Sequence, residues 1–375
     1  MLYIHIPYCN KACVYCDFHF SVNTNGIDRM VSALCREIEI RREYLDAAQP
    51  LKTVYFGGGT PSILDKTQLD RIFNVINANF VLDQDVEITL EANPDDLTRE
   101  KLTELSATPI NRLSIGTQSF FDDELLFMNR AHSSSEAVAS IHNAKAAGFD
   151  NLSIDLIYGI PGSDLVRWAK NLEFAFSLPV SHLSCYGLTL EPKTKLNKLV
   201  STGQVTIPSD EHYLEQFGYL MEAAVSNGFE HYEISNFAKP GFRSKHNSRY
   251  WSDIHYMGVG PSAHSYNGYS RQWNVSNNSA YVDAISKNEV PFKLEHLSNT
   301  DKYNEFVMTR LRTLEGVDVN ELVSRFGAQM QDHFTKLIMV HLDEGSVLEH
   351  NNRYALTRKG QFLADRIASD LFWID

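Results

Sequence analysis

The amino-acid sequence predicts an α/β protein in which a partial TIM-like barrel of six β–α units precedes a small winged-helix-like α+β domain. Short apolar runs typical of strands alternate with longer amphipathic patterns typical of helices through the first two thirds of the chain. Polar residues and glycines follow the ends of several strands, as they do in parallel barrels. Because the pattern repeats six times and not the eight of a closed barrel, we expect the barrel to be open on one side.

The six units are read from hydrophobic periodicity and from turn residues between the apolar runs. The predicted strands cover residues 2–7, 53–56, 86–90, 112–116, 152–157 and 182–188. The predicted helices cover residues 27–45, 68–79, 99–105, 136–147, 165–176 and 213–227. Since a helix follows each strand, neighbouring strands are expected to be parallel, with the helices packed outside them.

The remainder of the chain divides into two parts, after a barrel domain of residues 1–235. Residues 236–299 are rich in Gly, Asn and Ser, which predicts an irregular connecting segment. Residues 300–375 are predicted to form the winged-helix-like domain. Its predicted elements are helices at 304–311, 319–326, 330–342 and 361–371, and a hairpin of residues 346–349 and 353–355.

The composition limits the function classes. The chain has 375 residues with 34 basic and 47 acidic side chains, a formal net charge of −13, which argues against general nucleic-acid binding. The same charge favours an interaction or lid role for the winged-helix-like domain. Five cysteines, three of them close together, do not make a disulfide framework and indicate a reducing compartment. Since we find neither a signal peptide nor a membrane-spanning segment, we expect a cytoplasmic protein.

Three thiols lie in eight residues directly after the first strand, at Cys9, Cys13 and Cys16. One interpretation is a zinc site, with Asp17, His5 or His19 as the fourth ligand. Another is an iron–sulfur cluster in which three thiolates leave one iron open to a small molecule. Three loop thiols that bind no metal are a third possibility, which their bunching disfavours.

Further candidate residues follow later strands. Gly57-Gly58-Gly59-Thr60-Pro61 lets a ligand approach the backbone, although a tight turn explains it equally well. Glu91 offers a carboxylate for a hydroxyl or amino group, or is a solvated loop residue. Gln118, Arg130 and Asp155 complete a possible polar cage, and Asp155 must face polar groups because its strand neighbours are apolar. Taken alone, Gln118 and Arg130 are better explained by surface or packing roles.

The order of these motifs resembles the radical S-adenosylmethionine (SAM) superfamily, in its branch of oxygen-independent coproporphyrinogen III oxidases. The resemblance rests on residues 3–9, the cysteine triplet with Tyr15 and Asp17-Phe18, residues 57–61, Glu91, residues 112–120 and residues 155–161. It implies a barrel of the radical SAM type and a [4Fe-4S] cluster on Cys9, Cys13 and Cys16. By position it implies SAM contacts from Tyr3, Tyr15, Gly58, Gly59, Thr60, Glu91, Gln118, Arg130 and Asp155.

Within this branch, the runs His246-Asn247-Ser248-Arg249-Tyr250-Trp251 and Gly260-Pro261-Ser262-Ala263-His264-Ser265 resemble HemW-type haem chaperones. That resemblance implies haem held near His246 and passed to an acceptor protein, with a respiratory-chain protein as one candidate. Propionates would pair with Arg243, Lys245, Arg249 or Arg271. The local sequence of His246 also fits a hydrogen-bonded structural histidine, and His264 and His255 are weaker haem candidates.

Two alternatives to the chaperone stay open. One is a coproporphyrinogen III oxidase, which the Phe at position 18 and the start of the chain at the first strand disfavour, because oxidases carry a further Cys and an N-terminal arm there. The other is a zinc-stapled binding module, which leaves the glycine turn and the polar cage unexplained.

Overall fold

A computed structural model describes residues 1–46 and 49–374 and confirms the predicted partial barrel. Six parallel strands lie side by side in chain order, and each pairs with the next, with a register shift in the second and in the fourth pairing. Their bounds are β1 (Leu2–Ile6), β2 (Leu51–Gly58), β3 (Leu82–Ala92), β4 (Arg112–Gln118), β5 (Asn151–Tyr158) and β6 (His182–Gly187). The carboxyl ends of all six therefore meet at one edge of the sheet.

Helices connect these strands. They are α1 (Ile27–Ile40), α2 (Lys66–Asn79), α3 (Arg99–Ser106), α4 (Asp122–Phe127), α5 (Ser134–Ala146), α6 (Leu165–Ser177), α7 (Lys195–Ser201) and α8 (Asp210–Ser226). The longer ones bury an apolar face in the main core, and α4 and α7 contribute to a separate small cluster with Val14, in the loop that carries the three clustered cysteines. The sequence pattern did not predict α4 and α7, since six and seven residues are too few to show a helical period. The first helix ends at Ile40, earlier than predicted, where Arg41 leaves the helical conformation and its side chain bonds to the Gly258 carbonyl and the Ser265 hydroxyl.

The segment predicted to be irregular, residues 236–299, contains short regular elements. The strand directly before it, β7 (Glu230–Glu233), pairs with the first of them, β8 (Asn236–Ala238), at one edge of the large sheet. The other elements are α9 (Lys245–Tyr250), β9 (Met257–Val259), β10 (His264–Tyr266), β11 (Ser270–Asn274), α10 (Asn278–Ile285) and β12 (Phe292–His296). Strand β9 pairs with β1, and β8 pairs with β6 on the opposite edge. Within the described residues the large sheet runs from β7 to β9 without closing, so the barrel is open.

A buried carboxylate on α1 fastens this later segment to the barrel. Glu37 is fully buried and receives hydrogen bonds from the Arg41 guanidinium at 3.0 Å and the Gly260 amide at 2.8 Å. It also receives one from the Asn274 side-chain amide at 2.8 Å and one from the Tyr281 hydroxyl at 2.6 Å. Four donors satisfy the charge that burial would otherwise make costly.

The C-terminal elements form the predicted winged-helix-like domain around a second hydrophobic core. They are α11 (Asn299–Leu311), β13 (Val317–Asp318), α12 (Val319–Phe326), α13 (Ala328–Asp343), β14 (Val347–His350), β15 (Arg353–Leu356), α14 (Arg358–Gln361) and α15 (Ala364–Asp370). The hairpin β14–β15 turns at Asn351 and Asn352, whose φ angles of 51° and 65° suit a two-residue turn of the type that asparagine favours. The predicted last helix, 361–371, is interrupted between α14 and α15.

None of the helices in the described parts of the chain combines the length and the apolarity that crossing a bilayer requires.

Candidate active site

The three clustered cysteines lie on the loop after β1, at the carboxyl edge of the barrel. All three are partly buried, and the loop is anchored by hydrogen bonds from the Cys9 amide to the Ser21 carbonyl and from the Val14 amide to the Met128 carbonyl. Burial raises the pKa of the Cys9 thiol, and burial with the neighbouring thiols raises that of Cys16 to about 12. Both thiols are therefore neutral in the ligand-free chain, and a bound cation would favour their thiolate form.

The described residues do not place three or more His, Cys, Asp or Glu side chains around a single ion. A structural zinc site needs four such ligands at one point. An iron–sulfur cube is less demanding, because each thiolate binds a different iron and the sulfurs stand further apart. The donor set therefore fits a cluster better than the zinc alternative.

Arg130 joins the cysteine loop to the neighbouring strand ends. Its Nη1 lies 3.3 Å from the Cys13 sulfur, and its Nη2 donates to the Asn93 side chain and the Gly116 carbonyl, both at 2.7 Å. Its Nε is buried without a partner among the described residues. Asn93 in turn donates to the Thr60 hydroxyl at 3.2 Å. Sequence reasoning missed Asn93, although its place directly after a strand and before Pro94 was a usable signal.

The glycine turn after β2 packs directly against the base of the cysteine loop. The Gly59 amide donates to the Ile6 carbonyl at 2.9 Å, and the Thr60 amide to the Tyr8 carbonyl at 2.7 Å. A Cβ on Gly59 would lie 2.5 Å from the Tyr8 carbonyl oxygen, and Gly58, at φ +110°, has His5 against it. Packing therefore requires both glycines, whatever ligand their backbone also holds.

Glu91 is the last residue but one of β3 and lies between the glycine turn and the barrel interior. It receives hydrogen bonds from the Tyr55 hydroxyl at 2.7 Å and the Gly58 amide at 3.2 Å. Burial raises the pKa of Glu91 to about 7 and that of Asp155 to about 6. Asp155 accepts from Ser114 at 3.3 Å, so it faces polar groups as its sequence neighbours required.

A small polar cavity of about 40 Å³ connects these two carboxylates inside the barrel. It is lined by Tyr55, Glu91, Arg112, Ser114, Ser153, Asp155, Ser184, Tyr186, Ser244 and Asn247. The volume suits a few water molecules, and the lining supplies the polar partners they need.

The other predicted SAM contacts are Tyr3 near the start of β1, Gln118 at the end of β4, and Tyr15 on the cysteine loop. Tyr3 stacks on Tyr55 with ring centroids 6.1 Å apart, and its hydroxyl bonds to His5 Nδ1 at 3.1 Å. Gln118 ends β4 in the left-handed conformation, at φ 66°, and its side-chain amide lies over Gly116 beside Arg130. Burial raises the pKa of Tyr15, which lies next to Arg130 and the thiols. The structure thus places Tyr15, Gly58, Gly59, Thr60, Gln118 and Arg130 at the carboxyl edge of the barrel and Tyr3, Glu91 and Asp155 on the strands inside it.

His246 lies elsewhere, on α9 inside the barrel, and is buried. Its Nδ1 bonds to the Thr53 hydroxyl at 2.8 Å and its Nε2 to the Tyr250 hydroxyl at 3.2 Å. Burial lowers the pKa of His246 to about 3, so the imidazole is neutral. Ligation of haem iron at His246 stays a prediction, and it requires one of these two hydrogen bonds to open.

Glu87 fixes the N-terminus of α9, the helix that contains residues 246–250 of the His246 motif and is called the motif helix below. This buried carboxylate on β3 accepts from the backbone amide of Lys245 at 3.0 Å and that of His246 at 2.9 Å. A negative charge at a helix N-terminus is favourable, and here it also satisfies two free amides.

Comparison with known proteins places this site in a family. Residues 3–175 match the radical SAM superfamily, and residues 297–363 match the HemN C-terminal domain. The chain is 35% identical to the heme chaperone HemW of Bacillus subtilis over 97% of each chain. It is 32% identical to the heme chaperone HemW of Lactococcus lactis, over 97% of this chain and 95% of that one.

The chain belongs to the HemW family of radical SAM proteins.

A solved structure supports the same fold. The coproporphyrinogen III oxidase HemN from Escherichia coli, described as a radical SAM enzyme, superposes with a TM-score of 0.86 over 99% of this chain and 89% of that one. The two sequences are 24% identical, so the likeness establishes the fold alone. For a HemW-family chain, superfamily membership implies a [4Fe-4S] cluster and SAM, and the donor set at this edge of the barrel fits both.

Proposed function

We propose that this chain is a haem chaperone that holds a [4Fe-4S] cluster, SAM and haem, and passes haem to an acceptor protein. The relatives named heme chaperone HemW match it over nearly their whole length, which supports the proposal. The observation that carries it is the convergence of the three thiols, Arg130 and the glycine turn at one edge of the open barrel. Free cysteines fit a reducing cytoplasm, which we propose as its location.

Cys9, Cys13 and Cys16 would hold the cluster, which supplies an iron with a position open to SAM. Arg130 contacts the Cys13 sulfur at 3.3 Å and would hold that side chain in place beside the cluster. The Gly58 and Gly59 backbone and Thr60 would line the amino end of SAM. The remaining contacts would come from Tyr3, Tyr15, Glu91, Gln118, Arg130 and Asp155.

The first test is the metal content of the chain after anaerobic reconstitution with iron and sulfide. We expect about four irons and four sulfides per chain, reduced strongly in Cys13→Ala. Cys35→Ala is the matched control, since Cys35 lies on α1 and belongs to no cluster of thiols. One zinc per chain and no iron would support the zinc module instead.

The second test separates the chaperone from the oxidase. Haem-loaded chain is mixed with an apo-haem protein of the respiratory chain, and transfer is followed by the change in the Soret band. We expect transfer to the acceptor and no turnover of coproporphyrinogen III under anaerobic, reducing conditions with SAM. Decarboxylation of that porphyrinogen would overturn the chaperone proposal.

A further inference from the structure

We propose that Asp95 and His132 position the Arg130 guanidinium beside the cysteine loop, through one buried water molecule that bonds to all three side chains. This inference rests on the proposed function and deepens it, because Arg130 is among the residues proposed to contact SAM. Arg130 also contacts the Cys13 sulfur at 3.3 Å. The orientation of its guanidinium therefore affects both the cluster and the ligand beside it.

Two short segments lie side by side at this point of the site. One comes directly after β3 and contains Asn93 and Asp95, and the other lies between α4 and α5 and contains Arg130 and His132. Arg130 Nη2 donates to Asn93 at 2.7 Å, and His132 Nδ1 lies 4.0 Å from Asp95 Oδ1. Residues two apart on one segment thus face residues two apart on the other, which makes the Arg130 and His132 side chains neighbours.

The same two side chains are anchored on consecutive carbonyls of β4. Arg130 Nη2 donates to the Gly116 carbonyl at 2.7 Å, and His132 Nε2 bonds to the Thr117 carbonyl at 3.0 Å. Because a carbonyl oxygen only accepts, this bond puts the ring proton of His132 on Nε2. Burial, and then the charge of Arg130, lower the pKa of His132 to about 4. The ring is therefore neutral at pH 7, and its Nδ1 is an acceptor.

Three buried polar atoms in this region have no partner among the described residues. They are Asp95 Oδ1, Arg130 Nε and His132 Nδ1. The side chain of His132 is fully buried, and the charge of Arg130 acts on both Asp95 and His132, so the three groups share one part of the interior. Buried polar atoms are costly when unpaired, so this group of atoms requires a partner.

One water molecule supplies what these atoms need. Asp95 Oδ1 and His132 Nδ1 are both acceptors and cannot bond to each other, whereas Arg130 Nε is a donor. Water donates twice and accepts, and buried waters typically make about three such bonds. A water at about 2.8 Å from each of two acceptors that are 4.0 Å apart makes an angle of about 90° between them, close to the tetrahedral angle.

This bridge fixes the plane of the guanidinium. Arg130 Nη2 is held by Asn93 and Gly116, and the water would hold Nε, on another corner of the same rigid group. The remaining nitrogen, Nη1, then has one direction, toward Cys13. Asp95 and His132 act on the cluster loop through Arg130, so both are positioning residues.

The first test is a crystal structure of the full chain without iron, at a resolution better than about 2 Å. We expect one water within about 3.2 Å of Asp95 Oδ1, Arg130 Nε and His132 Nδ1. A direct contact between Asp95 and His132, or no density for a water between them, would overturn the inference. This result does not depend on whether the chain takes up a cluster or SAM.

The second test separates the two ring nitrogens of His132 by their nearest substitutes. His132→Asn keeps an acceptor near the place of Nδ1 and loses the bond to Thr117, while His132→Gln reaches Thr117 and loses the Nδ1 acceptor. SAM is titrated calorimetrically into the reconstituted chain. We expect His132→Gln to lower SAM affinity about tenfold and His132→Asn by less than about threefold, both with the iron content of wild type. A purely structural role, through Thr117, would reverse this order and overturn the inference.

Asp95→Ala is the second variant, and it serves even if a histidine variant does not fold, because the Asp95 side chain is 22% exposed at the outer end of the bridge. It should lower SAM affinity about as much as His132→Gln, and the double variant should lose no more than either one, because both act through one water. His142→Gln is the matched control, since this histidine is exposed on α5, and it should bind SAM as wild type does.

Fully additive losses in the double variant, or wild-type affinity in His132→Gln, would overturn the inference and leave the proposed function standing. If wild type itself binds neither cluster nor SAM, the proposed function fails, and the crystal structure alone then decides whether the water holds Arg130.

Discussion

Tyr55 touches both halves of the site: its hydroxyl donates to Glu91 at 2.7 Å, and its ring stacks on His246 with centroids 4.8 Å apart. On the far side of His246, Tyr250 makes an edge contact at 5.2 Å. One side chain therefore connects the proposed SAM cage at the strand ends to the motif helix inside the barrel. We therefore expect a substitution in the SAM cage to affect the packing of α9 through the Tyr55 ring, and a substitution on α9 to affect the cage.

Tyr55→Phe keeps the ring and removes only the hydroxyl. The hydrogen bond from Tyr55 lowers the pKa of Glu91, so its loss should raise that pKa further and leave more of the carboxyl protonated at pH 7. We expect SAM affinity at pH 7 to fall about five- to tenfold, and to recover in part at pH 8.5. Isothermal titration of SAM into the reconstituted chain measures both.

The control for this substitution is Tyr219→Phe, which removes a hydroxyl from an exposed ring on α8. It should leave SAM affinity unchanged. Equal SAM affinity in wild type and Tyr55→Phe at pH 7 would show that the Tyr55–Glu91 bond does not serve the cage.

SAM binding should strengthen as pH rises through 7. Burial raises the pKa of Glu91 to about 7, so below that pH the carboxyl is increasingly neutral and attracts the cationic ligand less. We expect affinity to change by at most about tenfold per pH unit below pH 7 and to level off above it. The measurement is a series of SAM titrations between pH 6 and 8, in which Glu91→Gln should bind weakly and show a flatter profile.

The same two carboxyls should make the ligand-free chain less stable as pH rises. The pKa values of Glu91 and Asp155 are raised on folding, to about 7 and about 6, so the folded state holds protons that the unfolded state has already released. Their contribution to the free energy of unfolding therefore falls between about pH 4 and pH 7. Urea denaturation at pH 5 and pH 7 should show a smaller difference in Glu91→Gln than in wild type; an equal difference would contradict the assignment.

His246→Ala should destabilise the chain even without haem. The substitution removes two buried hydrogen bonds and the stack with Tyr55, and it leaves the Thr53 hydroxyl unpaired. We expect the free energy of unfolding to fall by about 2–4 kcal/mol. Urea denaturation followed by circular dichroism checks this, with His142→Ala on the exposed face of α5 changing it by less than about 0.5 kcal/mol. Equal stability of the two variants would mean that His246 has no structural role.

Glu37→Ala should loosen the segment of residues 236–299 that Glu37 fastens to the barrel. It leaves the buried Arg41 without its ion pair and frees the Gly260 amide and the Asn274 amide. We expect a loss of about 3–5 kcal/mol in the free energy of unfolding. Glu39→Ala, two residues away and paired at the surface with Arg36, should cost less than about 1 kcal/mol. Similar losses in both variants would contradict a fastening role for Glu37.

The local sequence pattern was sufficient to predict which edge of the barrel carries the candidate site. Cys9, Gly58, Glu91 and Gln118 each follow or end a strand with a clear apolar period. Because parallel strands bring their carboxyl ends to one edge, the sequence predicted their meeting without any knowledge of contacts. The winged-helix-like domain was predictable for the same reason, since its helices and hairpin are local patterns.

The tertiary structure decided the partners and the short elements. Strand β9 has three residues, too few for a period, and it is recognised only by its pairing with β1. Asn93 and Glu37 gained their roles from donors far away in the chain.

The sequence by itself thus determined the fold class, the thiol triplet and the edge at which the chemistry gathers, because these depend on periodicity and spacing over a few residues. Only the folded chain decided that His246 is enclosed by Thr53 and Tyr250 while the ring of His264 stacks beside Trp273. Thr53 and His246 are 193 residues apart, and no local pattern carries a hydrogen bond over that separation. Burial and partner choice are properties of the packed barrel, so the contacts of each histidine follow from the fold and not from its local sequence.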